Sequence, residues 1–416
     1  MRLSNVLSSV LAGATALQSV AALPQDLWSR DTAAATAASF TVSPKVFIIS
    51  MFTPEAETWY GIPEFDLLAI NITVPGLSML FPDVHCTDDG EICQLTTGEG
   101  EINAATTIAS LVVSPHFNLT QTYFMIAGIG GVSPEVATLG SVTFARFAVQ
   151  VALQDEFDAR EIPANFSTGY VPFGTTAPGQ YPTSIYGTEV FEVNAALRDR
   201  AIELASTATL NDTDAAAAYR ANYAAEPDYA AGASGLTIVP CDVATADVYY
   251  SGILLSEAFA NTTTLLTNGT GKYCSSAQED NASLEAFLRA AMHHLVDFAR
   301  IIVMRTGSDF DRQYPGETAT QHLLYDHQNG HIPSVTNIYL AGVKIVQGIV
   351  NDWDKTYAAG ITPTNYVGDI FGTLGGTPDF GPYASGAPAT KRSIQGSVED
   401  LTNGGAMMIT SVKTNP

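Results

Sequence analysis

Apolar positions along this chain follow two alternating rhythms. Short β-branched runs, KVFIIS (45–50), TYFMIAG (122–128), LTIVPCDV (236–243) and RIIVMR (300–305), read as buried strands of a mostly parallel sheet. Between them, INAATTIASLVV (102–113) and SLEAFLRAAMHHLVDFA (283–299) repeat at helical spacing. In the second, Leu284, Phe287, Leu288, Ala291, Met292, Leu295 and Phe298 share one face. A last helix is expected over about 335–353, on Val335, Ile338, Val343, Val346, Ile349 and Trp353. The stretch SVTFARFAVQVALQDEF (141–157) instead alternates Phe147, Val149, Val151 and Leu153, as an extended strand does. The sum predicts an α/β layered domain whose long strand curls the sheet toward a barrel.

The pattern also divides the chain. Residues 1–22 carry one Arg, an apolar stretch from Val6 to Leu17, and Ala21 and Ala22 before Leu23, which reads as a cleaved signal peptide. A leader rich in Ala and Thr follows (23–42), then one core domain over 43–383 with insertions near 205–235 and 256–275. A low-complexity tail closes the chain (384–416) and holds Lys391-Arg392. After the signal no apolar run reaches 18 residues, so no transmembrane helix is expected in the mature chain.

Composition narrows the setting. Seven Asn-X-Ser/Thr sequons, at Asn71, Asn118, Asn165, Asn211, Asn261, Asn268 and Asn281, behind a signal peptide point to a secreted glycoprotein, extracellular or associated with the cell wall. In that oxidising setting the four cysteines read as two disulfides. Cys86–Cys93 with Cys241–Cys274 is the first choice of three connectivities. The formal net charge of −24 disfavours nucleic acid as a partner, while 14% charged residues with no acidic run place that charge over a surface.

In an open α/β sheet, ligands sit beyond the carboxyl ends of the strands. That rule selects Glu55 and Glu57 after the first strand, Gly98 and Gly100 in TTGEGEINAA, and Gly128, Gly130 and Gly131 in FMIAGIGGVSPE, where a helix is expected to start. It also selects Asp247, Tyr249 and Tyr250 in ATADVYYSG, and Asp309 and Asp311 in RTGSDFDR. Each has a plain structural alternative: a helix-first-turn acid for Glu55, tight packing for the glycines, burial for the tyrosines and a turn cap for Asp309. His293, His294, His322, His327 and His331 show no helical His-x-x-x-His pair with a third ligand, so neither a metal nor a cofactor is expected. No Gly-x-Ser-x-Gly elbow is present.

Taken in chain order, VFIISMFTPEAE, TGEGEINAAT, AGIGGVSPEVATLGSV, DVYYSG, QEDNASLEAF and VMRTGSDFDR resemble the nucleoside phosphorylase and nucleosidase superfamily, and most closely its purine nucleoside permease branch. The resemblance spans roughly 43–383 and implies a three-layer α/β/α fold with a mixed, partly barrel-like central sheet. It also implies purine nucleosides as ligands. By the same resemblance Glu55 positions an attacking water, Gly128, Gly130 and Gly131 form a floor under the ribose, and Tyr249 stacks on the base. Glu279 then holds the ribose hydroxyls and Asp309 protonates the leaving purine, with Gly100 and Asp247 lining the same site. Phosphate-using relatives gather arginines, whereas this chain has no Arg or Lys from 46 to 145. Hydrolysis is therefore expected over phosphorolysis, with Arg146, Arg160, Arg305 and Arg312 as the arginines that folding could bring in. Two other readings are open: a non-catalytic component of nucleoside uptake that requires a membrane partner, and a storage protein with an idle site. The resemblance also raises a homo-oligomer.

Overall fold

The structure, a computed structural model, describes residues 41–381. Its first elements are β1 (Val46–Ser50), α1 (Thr53–Glu57), β2 (Ile70–Thr73), β3 (Asp83–Cys86), β4 (Ile92–Thr96), α2 (Glu101–Val112) and β5 (Tyr123–Val132). There follow β6 (Val142–Ala145), β7 (Phe147–Gln150), β8 (Asp155–Glu156), β9 (Tyr170–Val171), β10 (Val190–Glu192), α3 (Ala195–Ala205) and α4 (Asp214–Arg220). The rest are β11 (Ile238–Pro240), β12 (Asp242–Thr245), α5 (Ile253–Leu266), β13 (Tyr273–Ala277), α6 (Asp280–Met292), β14 (Ile301–Phe310), α7 (Ala319–Leu324), α8 (His331–Asn351) and β15 (Gly368–Asp369).

The apolar runs make strands covered on both faces. In β1, Phe47 and Ile49 pack with Ile108 and Leu111 of α2 and with Leu284 and Phe287 of α6. Its alternate residues, Val46 and Ile48, pack on the opposite face with Leu197 of α3 and Ile338, Ile345 and Val346 of α8. Period-two alternation with both faces apolar is what a central strand between two helical layers requires. The layers are therefore α/β/α.

The sheet is mixed rather than mostly parallel. β1 runs parallel to β4 and β5, and β5 parallel to β14. However, β13 is antiparallel to β5 and β14 to β6. The expected long strand is broken at Arg146 into β6 and β7. The Asp242 carboxylate fixes the bend by accepting from Arg146 N (2.9 Å) and Phe147 N (2.8 Å). Across the bend the chain changes partners: β6 pairs with β14 and β7 with β12. The path β7–β12–β13–β5–β14–β6 thus returns to its own strand, and the sheet closes on itself over this part.

Boundaries shift where local chemistry overrides periodicity. α6 ends at Met292 because His294 takes a positive φ of 57°, which leaves Leu295 partly exposed. β5 runs through all three glycines to Val132, and Ser133-Pro134-Glu135 forms a turn rather than a helix start. Residues 256–275 supply most of the crossover helix α5 and the start of central strand β13, while 205–235 hold α4 and two short 3-10 turns. Both disulfides form, Cys86–Cys93 between adjacent strands and Cys241–Cys274 beside β12 and β13. Among the described residues, no helix is long and apolar enough to cross a membrane. The signal peptide, nearly all of the leader and the tail lie outside the described residues.

Candidate active site

The ends of β1, β5, β12, β13 and β14 meet at a cavity of about 820 Å³. The cavity lies at strand ends, where ligands sit in open α/β sheets. Glu55, Gly130, Gly131, Tyr249, Glu279 and Asp309 all line it. Gly100, Gly128 and Asp247 do not; Gly100 and Gly128 support lining residues, and Asp247 caps α2.

Glu55 stands in the first turn of α1, 1% exposed. Its Oε2 accepts from Met51 N and its Oε1 from Ile129 N, both at 2.7 Å. Burial pushes its pKa up to about 8, against the pull of Arg305 and the two backbone N–H groups. Gly128 is the reason Glu55 fits: a Cβ there would collide with Met51, with Glu55 Oε1 and with Arg305. At Gly130 and Gly131 the colliding group is Ser276. The glycines are thus crowded by the protein itself, and at Gly128 the floor expected under a ribose is occupied by the carboxylate.

Glu279, at the start of α6, accepts from Gly100 N (2.9 Å) and pairs with Arg305 (3.1 Å). Gly100 has a φ of 89°, which an L side chain rarely adopts. Asp247 accepts from Glu101 N (2.7 Å), capping α2 rather than entering the cavity. Tyr249 is 61% exposed at the mouth.

Asp309 is placed by an irregularity. Gly307 pairs with Gly130 and Asp309 with Gly131, so Ser308 is an extra residue bulged out of β14. Bulges re-aim the side chains beside them. Ser308 Oγ donates to Asp309 Oδ1 (2.6 Å). Burial raises the Asp309 pKa, while Ser308, Tyr249 and the nearby His322 draw it back down.

Arg305 is the one arginine brought to the cavity among the described residues, and its charge is already matched. It bonds Glu279, both oxygens of Asp280 and Ile129 O. Arg146 pairs with Glu192, Arg160 with Asp158, and Arg312 with Asp311 and Glu135. Among the described residues, then, no guanidinium is left over for a phosphate dianion.

Sequence reasoning missed the far wall. Ser276, Gln278, Ser308, His322, Gln328 and His331 line the cavity, three of them from the short segment 322–331. The one available signal was the clustering of His322, His327 and His331 among seven histidines. Glu317, His322 and Asp326 bring potential metal-ligand atoms within 4.8 Å of one another. Two of the three already have protein partners, since Tyr219 OH and Gln321 Nε2 donate to Asp326 and His322 Nε2 meets Phe310 O, while Glu317 Oε2 is buried without a hydrogen-bond partner.

Fold and site together define an α/β protein with an acidic pocket at the strand ends of a partly closed sheet. Residues 43–362 match the model of the purine nucleoside permease family, and the chain belongs to that family. It is 48% identical over 345 residues to a purine nucleoside permease of Candida albicans, covering 81% of this chain and 83% of that one. It is 44% identical over 320 residues to a probable purine nucleoside permease of Schizosaccharomyces pombe, covering 74% and 90%. Similar solved structures include a 5'-methylthioadenosine/S-adenosylhomocysteine nucleosidase from S. pneumoniae, with TM-score 0.43, 14% identity and coverage of 73% and 99%. Another is the futalosine hydrolase of Helicobacter pylori, with TM-score 0.41, 14% identity and coverage of 74% and 98%.

Proposed function

We propose that this pocket binds a purine nucleoside and cleaves its N-glycosidic bond with water. The observation that carries the reading is the pair of acids on the cavity wall, buried Glu55 held by two backbone N–H groups and half-buried Asp309 aimed by a bulge. Cleavage builds positive charge on the sugar and negative charge on the departing base. Carboxylates at Glu55, Glu279 and Asp280 outnumber the single Arg305, which favours the cationic sugar. Asp309, whose pKa desolvation raises, gives its proton to a purine nitrogen as the C1′–N bond breaks. A water oriented by ionised Glu55 adds to C1′ and passes a proton to that carboxylate. The products are free base and ribose; solvent takes the proton from Glu55 and returns one to Asp309. Tyr249 at the mouth supplies a stacking face for the base.

Water is favoured over phosphate because, among the described residues, the only arginine at the cavity is neutralised by Glu279 and Asp280. The deciding assay is base release from inosine, adenosine and guanosine, with and without phosphate. Ribose formed in phosphate-free buffer supports the reading, and phosphate-dependent ribose 1-phosphate overturns it.

One observation favours a second reading, nucleoside capture for uptake. With a pKa of about 8, Glu55 is mostly protonated at neutral pH, a state that binds but does not activate water. The relatives' names agree with that reading. Nucleoside binding without product at pH 7 and above would establish it, and no binding at all would indicate storage. Work outside the cell is part of the proposal: two disulfides form, and six of the seven sequon asparagines are exposed, Asn281 alone being buried.

A further inference from the structure

The strand that carries Asp309 loses its neighbour before it reaches the cavity. β6 accompanies β14 only through Val303–Thr306, and Gly307 makes the last backbone bonds on that side, to Ser141 and Gly140. Beyond it, among the described residues, no strand lies beside the edge of β14 facing away from β5, although Phe310 is 1% exposed. A buried N–H and C=O require partners. Phe310 obtains both from side chains of one segment: its N–H donates to Gln328 Oε1 (2.7 Å), and its C=O accepts from His322 Nε2 (2.9 Å). On the other side of Asp309, Gly330 lies flat against the Ser308 carbonyl, where any side chain would collide. Gly330 has a φ of −81°, so close approach rather than conformation calls for glycine there.

Residues 322–330 thus hold the backbone immediately before and after Asp309. We infer that His322 and Gln328 are positioning residues that, with Gly330 against Ser308, set the direction in which Asp309 meets the leaving base. His322 is itself braced from α4, because the Tyr219 hydroxyl lies 3.2 Å from His322 Nδ1 and donates to Asp326 Oδ2 (2.9 Å). The same segment walls the cavity through Asp326, His327 and Asn329. One piece of chain therefore both encloses the ligand and aims the acid, which ties enclosure to proton delivery. The inference rests on the acid role proposed above for Asp309.

The test compares base release by the full chain with His322→Phe, His322→Gln, Gln328→Met and Gly330→Ala. A displaced acid loses rate in the chemical step without losing ground-state binding. His322→Phe and Gln328→Met are expected to lower kcat by about 10- to 100-fold with KM within about twofold. His322→Gln is expected to recover most of the loss, because its carboxamide N–H reaches the place of imidazole Nε2–H. Thermal melting identifies any variant that does not fold, and Gln328→Met and Gly330→Ala each probe the clamp without altering the imidazole. A raised KM with unchanged kcat would mean that His322 touches the nucleoside itself, and would overturn the inference, as would wild-type kcat in both His322→Phe and Gln328→Met. A wild type that releases no base removes the acid role and the clamp together, whereas active wild type with equally active variants removes only the clamp.

Discussion

Glu55 concentrates the residue-scale argument, because two backbone donors and a nearby arginine favour its charge while burial opposes it, and burial prevails. Its pKa of about 8 has two consequences. A group that binds its proton more tightly when folded contributes stability that is full below the ordinary 4.5 and is lost as pH rises through about 8. Denaturant midpoints measured from pH 5 to pH 9 should fall across that window, and Glu55→Gln should flatten the fall. Turnover over the same range should be bell-shaped, because it needs Glu55 ionised and Asp309 protonated at once. Glu55→Gln should then lower base release by about 100-fold or more while nucleoside binding by calorimetry persists. Asp309→Asn should likewise abolish release and retain binding; undiminished turnover would reject its role as acid.

At the scale of elements, the site depends on two departures from regular strand geometry. The bulge at Ser308 turns Asp309 toward the cavity, and the bend at Arg146 lets one strand serve two stretches of sheet. Asp242 holds that bend with three backbone donors, from Arg146, Phe147 and Lys272. Asp242→Ala leaves them without their acceptor, at about 1–3 kcal/mol for each that water cannot reach. Urea unfolding should show a loss of about 3 kcal/mol or more. In β5, Gly128→Ala would press on Met51, Glu55 and Arg305 together. It should lower both stability and turnover, since the atoms that must move include the carboxylate itself.

Across the whole molecule, charge and covalent ties set the expectations. A chain of net charge −24, with a pocket where three carboxyl groups surround one arginine, repels anionic ligands. Inosine should therefore be bound and its 5′-phosphate rejected in the same calorimetric assay. The disulfides close loops of 7 and 33 residues in sequence separation. Chain entropy then assigns about 2 kcal/mol to Cys86–Cys93 and about 4 kcal/mol to Cys241–Cys274. Paired Cys→Ala variants should separate these values, the second pair costing more.

Periodicity alone was enough for the layers, because strand and helix spacing are local properties: β1, α2, β14 and α8 lie within a few residues of their apolar runs. The strand-end rule likewise reached Glu55, Gly130, Gly131, Tyr249 and Asp309, since in this fold class position along a strand translates into position in the molecule. Tertiary structure decided what proximity alone can decide. The expected ribose floor at Gly128 holds Glu55 instead, Gly100 and Asp247 support rather than line the cavity, and the helix expected after Gly131 is a turn. Gln328 and Gly330 show no sequence signal of their place, and the histidine cluster does not tell which strand edge His322 serves, because side-chain pairing to an edge and close approach of a glycine have no period. Arg305 was visible as a charge, but only folding revealed that Glu279 and Asp280 neutralise it. A sequence carries each residue's preferences one position at a time, whereas the chemistry of this pocket depends on which charges and donors the closed sheet brings within about 3 Å of one another.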